Sequence, residues 1–260
     1  MDDLFDTWCD TEEEEDGRKT LWRATECPDG REAVLDEIAV RTRSHYVSDV
    51  EIASFLEALG YAEAADVMRT QYPVKATGRS ADLGEILNTE IIEEWCGHTV
   101  PIRKLRDKDH REQAMRGEDV IGVKIDDEDR LCLLKAEAKS ARSLGEAKVM
   151  EARAALESNS GRPTAHSLVF IGRRLLESNV EEKRSLGARI LQESVRSAVP
   201  KTRVTHCMFA FTGNKAGEML DNDFTDADPG RDQYIIQLRI KDHGEFVESV
   251  YEKVLNLAID

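Results

Sequence analysis

The sequence predicts an α/β protein: a mixed central sheet flanked by helices, with a helical region ahead of it. Three observations carry that prediction. Asp119–Ile125 and Leu131–Lys139 alternate apolar and polar residues on either side of the polar turn Asp126–Arg130, the pattern of a β-hairpin. Two further apolar runs, Thr205–Thr212 and Gln233–Ile240, read as strands separated by a polar, turn-rich stretch. Segments with helical apolar spacing stand before, between and after these pairs.

Taken in order, the elements begin with an acidic block. Nine carboxylates lie between Asp2 and Asp16, and no basic residue precedes Arg18. A block of like charge repels itself and stays solvated, so residues 1–18 are expected to be a flexible acidic tail. A sharper reading makes this block a mimic of phosphate charge that covers a basic cleft. Residues 19–75 form the expected helical region. Within it, Ser48 and Glu51 make a capping box ahead of a helix carrying Val50, Ile52, Phe55, Leu56 and Leu59. Gly60 ends that helix, and Ala62–Arg69 is a short second one. The second helix has too little basic character for a DNA-reading helix, which leaves a packing or partner surface.

Residues 80–260 form the expected α/β domain. Ser80 or Asp82 caps a helix with Leu83, Ile86, Leu87, Ile91 and Trp95 along one side, and Gly97 stops it. Glu85 lies off the centre of that stripe. After the hairpin come helices over about Ser143–Ser158, Pro163–Asn179 and Glu181–Ser197, then the two later strands. A helix over about Gly244–Leu257 closes the domain.

Composition bounds the function. The 260 residues are 40% hydrophobic and 34% charged, with a formal net charge of −16. That charge argues against a protein that coats nucleic acid, because non-specific affinity comes from Lys and Arg displacing counterions. An enzyme meeting DNA in one local cleft, or relying on a partner for its grip, is compatible with it. Cys9, Cys27, Cys96, Cys132 and Cys207 are odd in number and lack zinc-site spacing, so they read as reduced thiols of a cytoplasmic protein. The amino terminus has no signal-peptide pattern and no apolar run is long enough to span a bilayer.

The chemistry is expected at the hairpin. Residues two apart on a strand share a face, so Glu137 and Lys139 point the same way. An antiparallel hairpin brings Asp119, at the start of one strand, to the end of the other. Two carboxylates that close repel unless a cation lies between them, and hard oxygen ligands suit Mg²⁺ or Mn²⁺. Lys139 is then placed to hold a water and to neutralise charge on an attacked phosphate. The bland alternative is a surface ion pair at a strand end. The Glu-x-Lys pattern recurs at Glu146–Lys148 and Glu181–Lys183, both in helical stretches as solvated charge. A basic set, Arg103, Lys104, Arg106, Lys108, Arg111 and Arg116 before the hairpin and Arg142, Lys148 and Arg153 after it, reads either as a phosphate track or as a solvated face paired with the acidic tail.

The runs GRSADLGEIL (residues 78–87), Arg116-Gly117-Glu118-Asp119 and KAEAKSA (residues 135–141) resemble the PD-(D/E)xK nuclease pattern. From about Glu32 onward the chain is similar to the HamA family, nuclease subunits of Hachiman anti-phage systems. The resemblance implies a restriction-endonuclease-like core in residues 80–260. It implies Asp119 and Glu137 as metal ligands with the Ala138 carbonyl as a further one, Lys139 as the residue that positions water, and Glu85 as an accessory acid. It also implies Mg²⁺ or Mn²⁺ as cofactor, a DNA substrate, and a superfamily 2 helicase partner of the HamB kind that restrains the nuclease until aberrant DNA is engaged. No proline precedes Asp119, where the motif's name would have one, and Glu118 is the competing carboxylate.

Two weaker features complete the reading. His206-Cys207 lies within an apolar strand and reads as a buried thiol beside a satisfied histidine. No phosphate-binding loop or dinucleotide fingerprint is present. The alternative of a different class is a non-catalytic, nuclease-like adaptor whose acidic surface and helical region bind a partner.

Overall fold

The computed structural model describes residues 4–113, 115–196 and 199–257. Its centre is a mixed six-stranded sheet of β1 (Cys9–Asp16), β2 (Lys19–Glu26), β3 (Val120–Ile125), β4 (Leu131–Ala141), β5 (Val204–Thr212) and β6 (Gln233–Arg239), ordered β1-β2-β6-β5-β4-β3. The two ends of the sheet are antiparallel hairpins. The three inner junctions, β2 with β6, β6 with β5 and β5 with β4, are parallel.

The first hairpin corrects the expected flexible tail. The acidic run is the edge strand β1, paired along its length with β2 through a two-residue turn. Gly17 takes φ 63° at the first position of that turn, where a tight hairpin needs glycine. Only Cys9 of β1 is buried. The row of carboxylates faces solvent and discourages other chains from pairing with the edge. Its charges meet their own hairpin: Glu14 pairs with Arg23 at 3.1 Å and Asp16 with Lys19 at 2.9 Å. The helix α1 (Leu4–Trp8) ahead of it buries Leu4, Phe5 and Trp8. Residues 1–3 of the expected tail lie outside the described residues.

Helices cover both faces. On one, α2 (Gly30–Tyr46), α5 (Ala76–Trp95) and α10 (His243–Leu257) enclose a core with Ala24, Leu134, Ala136, Phe209, Phe211, Ile236 and Leu238. On the other, α6 (Glu146–Gly161) and α9 (Gly217–Asp226) pack on Leu21, Met208, Ala210 and Ile235. Beside them, α7 (Ala165–Leu176) and α8 (Glu181–Arg196) pack on Ile121, Val123, Leu131, Leu133 and Val204. The alternation along each strand decides which layer each side chain joins.

The expected helical region, residues 19–75, opens with the strand β2, and its first helix packs into the core of the sheet. Val34, Ile38, Ala39 and Tyr46 of α2 belong to the same core as the sheet. The helices α3 (Asp49–Leu59) and α4 (Tyr61–Arg69) follow it. The capping box forms as expected: Glu51 N donates to Ser48 Oγ at 3.3 Å, and Ser48 N donates to Glu51 Oε2 at 2.8 Å. Gly60 ends α3 at φ 77°. No residue of α3 is fully buried; Ile52 and Phe55 lean on the core, and Val50 stays 76% exposed.

Two helix boundaries differ from expectation. α5 starts at Ala76, ahead of Ser80 and Asp82, and Asp82 is a buried residue inside it. Its carboxylate accepts from Lys108 Nζ and from Tyr46 Oη, each at 2.7 Å, so its polarity is used across the core and not at a cap. The stretch between the last two strands, expected as turns, contains α9. Among the described residues no helix is long and apolar enough to cross a membrane. All five cysteines are free thiols.

Candidate active site

The site forms where β4 runs on past the start of β3. β3 begins at Val120, opposite Ala136, so Glu137 to Ala141 run on with β5 on one edge and, among the described residues, no strand on the other. Asp119 stands at that open edge. Its Oδ2 accepts a hydrogen bond from the backbone N–H of Ala138 at 2.9 Å. Glu137 and Lys139 share the face of Leu131 and Leu133, and Lys139 Nζ donates to Glu137 Oε1 at 2.8 Å. Glu85 approaches from α5, on the opposite face, around the same edge.

All four predicted side chains, Glu85, Asp119, Glu137 and Lys139, line one cleft of about 570 Å³, together with Ala138. Asp119 is the electrostatic hub. Burial raises the Asp119 carboxyl above the usual range, against the Ala138 N–H and the charges of Lys104 and Lys139, which favour its ionised form. Burial, followed by repulsion from Asp119, pushes Glu85 up to about 8. Glu137 is also raised, by burial and then by Asp119, while Lys139 pulls it down. Burial disfavours the Lys139 ammonium, but its hydrogen bond to Glu137 and the charges of Glu137 and Glu151 outweigh that and raise it.

Glu118 is absent from the lining of this cleft, but it shares a second one with Glu85 and Asp119 and adds to the repulsion on Asp119. It is buried, and its Oε1 accepts from Thr164 N at 2.7 Å and its Oε2 from Thr164 Oγ1 at 3.2 Å. It therefore anchors the start of α7. Glu118 and Asp119 both precede β3, and it is Asp119 whose carboxylate accepts the Ala138 N–H at the open edge.

The oxygens available to an ion are hard ones. Within a strand, one residue's N–H and C=O lie on the same edge, so the Ala138 carbonyl shares the edge where Asp119 sits. Among the described residues, no group of three His, Cys, Asp or Glu side chains is gathered to hold a metal ion by itself. The fitting donor set is Asp119, Glu137, the Ala138 carbonyl and water. That suits Mg²⁺, which keeps several waters and uses one or two carboxylates. Burial first, and repulsion between neighbouring carboxylates second, raise these three carboxyl groups, and a divalent cation bound among them would favour their ionised forms.

The basic set divides by partner. Arg103 pairs with Glu93 at 2.6 Å, Lys108 with Asp82 at 2.7 Å, Lys148 with Glu151 at 2.9 Å and Arg153 with Asp223 at 2.6 Å. Lys104 Nζ donates to the Glu118 carbonyl at 2.7 Å, and Arg106 donates to that of Ser44 at 2.6 Å. Arg111, Arg116 and Arg142 have no ion pair among the described residues, which leaves them as the cations free for an external anion.

Sequence reasoning missed Glu151 and the hydrogen-bonded chain of Ser80, Ser140 and His243. Glu151 of α6 lies 3.3 Å from Lys139 Nζ and joins it to Lys148; its only signal is helical spacing from Lys148. Ser140 Oγ bridges Ser80 Oγ at 2.8 Å and His243 Nε2 at 3.0 Å in the cleft wall, a contact across 103 residues with no local signature. His206 and Cys207 are buried as expected, but the histidine is only half satisfied, since its Nδ1 has no hydrogen-bond partner among the described residues. His206 Nε2 faces the Gly161 carbonyl at 2.9 Å, burial pushes the imidazole down to about 3, and Cys207 Sγ contacts Asn88 at 3.8 Å.

Comparison with known proteins gives a consistent result. The profile of the HamA family matches residues 2–254. The Hachiman protein HamA of Bacillus cereus is 25% identical over 197 residues, covering 76% of this chain and 68% of that protein. The profile match begins inside the acidic amino-terminal segment, so α1 and the first hairpin belong to the matched unit.

Proposed function

Because the chain belongs to the HamA family, we propose that it is the Mg²⁺- or Mn²⁺-dependent deoxyribonuclease of a Hachiman anti-phage defence complex, built on a restriction-endonuclease-like core. The observation that carries this reading is the meeting of Asp119, Ala138, Glu137 and Lys139 at one open strand edge, with Lys139 2.8 Å from Glu137. A surface ion pair alone would not require a second, repelling carboxylate beside it.

In this reading Asp119 and Glu137, with the Ala138 carbonyl, hold the ion. When bound, the metal lowers the pKa of water and stabilises charge on the phosphate. Lys139 orients the attacking water and offsets charge on the non-bridging oxygens. Water attacks phosphorus, the ester bond to the leaving oxygen breaks, and that oxygen takes a proton. Glu85, protonated up to about pH 8 in the metal-free site, is an accessory acid at the same edge. The chain's net charge of −16 leaves DNA affinity to a partner, for which a superfamily 2 helicase that restrains cutting until aberrant DNA is engaged is the fitting class.

A second reading, a partner-binding adaptor, draws on the exposed Val50, Leu56, Leu59 and Tyr61 of α3 and α4. It adds to the first without replacing it. The test is cleavage of plasmid DNA with Mg²⁺, with and without the helicase subunit, by the wild type, Glu137→Ala and Lys139→Ala. The nuclease reading expects cutting by the wild type, its loss in both variants, and partner binding retained in both. Equal cutting by all three would remove it.

A further inference from the structure

A second cleft, of about 450 Å³, lies on the other side of Glu85 and Asp119, and these two carboxylates line both. Its character differs from the first. Ile102, Val120, Ile121, Phe170 and Ile171 give it an apolar floor, while its polar side carries Lys104, Arg116 and His166 together with the carboxylates Glu85, Asp109, Glu118 and Asp119. An apolar floor with one aromatic ring, under a rim that offers both hydrogen-bond donors and acceptors, suits a ligand with apolar faces and polar edges. We propose that this cleft is a nucleobase pocket for the nucleotide next to the scissile phosphate.

The inference rests on the nuclease reading for its position. A phosphodiester held at Asp119 and Glu137 carries a nucleotide on each side, and continuity through Asp119 directs one of them into the second cleft. Phe170 is its stacking surface. It follows His166 by four residues on α7, so both occupy one helical face, and the Arg174 guanidinium lies 5.9 Å from its ring centroid. Glu118 fixes this face in place by anchoring the start of α7 at Thr164. Arg116, exposed and without an ion pair among the described residues, is available to the phosphate that follows the base. A pocket of this size accepts one base out of its stack and not a base pair. Its use is easiest on single-stranded or frayed DNA, where less pairing is lost.

The test compares the full-length protein's affinity for a short single-stranded oligonucleotide and for an abasic strand of equal length. Fluorescence anisotropy is read in Ca²⁺, and Mg²⁺ cleavage is assayed separately. The wild type is expected to prefer the base-bearing strand about tenfold, the range of one base–aromatic stack. Phe170→Ala should bring that ratio close to one and leave abasic-strand affinity unchanged, whereas Phe170→Trp should keep it. Should Phe170→Ala fail to fold, His166→Ala on the exposed rim is expected to reduce the same ratio. Equal wild-type affinities for the two strands, or a ratio unmoved in folded Phe170→Ala, overturns the pocket. Loss of cleavage alone, with the ratio intact, overturns the nuclease reading instead.

Discussion

The carboxylate of Asp119 accepts the backbone N–H of Ala138 at 2.9 Å. This one contact joins the residue ahead of β3 to the stretch of β4 that β3 does not pair, and it fixes where the site's charges meet. Asp119→Asn retains an acceptor for that N–H and removes the charge; Asp119→Ala removes both. Each should lower Mg²⁺-dependent cleavage at least about 100-fold, on the scale of losing a main electrostatic contributor. Asp119→Asn should keep the wild-type circular dichroism spectrum and melting temperature to within a few degrees. Calorimetric titration with Mn²⁺ distinguishes a lost ligand from a lost fold. Cleavage by Asp119→Asn at the wild-type rate sinks the assignment.

The raised carboxyl groups make the metal-free protein pH-sensitive in a defined direction. Between 4.5 and about 8, Glu85 is ionised in the unfolded chain and protonated in the folded one. The folded state then binds more protons, so stability falls as pH rises through that window. Below 4.5 both states carry the proton and the effect vanishes. Glu85→Gln should therefore raise the melting temperature in EDTA at pH 8 by about 3–8 °C, at roughly 2–4 °C per kcal/mol for a chain of this length, and leave it unchanged at pH 4.5. Saturating Mg²⁺ should stabilise the wild type at pH 8 by about 2–3 kcal/mol at 100 times its Kd. A metal-free protein that grows more stable from pH 5 to 8, through this group, would contradict the arrangement.

The hairpin and its acids were legible because period-two alternation ran into Glu137 and Lys139 without a break. The choice between Glu118 and Asp119 was not, since it depends on the Val120–Ala136 register, which sequence spacing leaves open by one residue. The first hairpin was hidden for a different reason. A run of Glu and Asp has low strand propensity, and β1 buries only Cys9. Its partner β2 is held by parallel pairing with β6, more than 200 residues away. The start of α5 was obscured by Gly78 and by Asp82, a strong cap residue that here serves a buried bond to Lys108.

Glu118 provides a control for the site. Its carboxylate holds Thr164 N and Oγ1 at the start of α7, and it is not among the side chains lining the cleft with Glu137 and Lys139. Glu118→Ala leaves those donors without their acceptor and should lower the unfolding free energy by about 1–3 kcal/mol, measured by urea denaturation at constant m. Cleavage per folded molecule should stay within a few-fold of wild type. A loss as deep as that of Asp119→Asn, in a stably folded Glu118→Ala protein, would return the ligand role to Glu118.

Deleting the acidic segment tests whether it is a removable cover or part of the fold. A cover over a basic cleft predicts that a chain lacking residues 2–16 cuts DNA faster. The structure gives the opposite expectation. The deletion removes Leu4, Phe5 and Trp8, all buried, and each such side chain contributes about 1.5–3 kcal/mol by its burial. It also strips β1 from β2 and exposes the N–H and C=O groups that β1 now satisfies. Since a domain's whole stability is about 5–15 kcal/mol, the truncated chain should melt far below the wild type or aggregate, as followed by calorimetry and light scattering. Charge neutralisation isolates the electrostatic part. Replacing Glu12, Glu13 and Glu15 with Gln keeps the strand and removes three solvent-facing charges, and the protein should fold with its cleavage rate unchanged. Faster cutting by that variant at an unaltered melting temperature would restore the covering role to the strand.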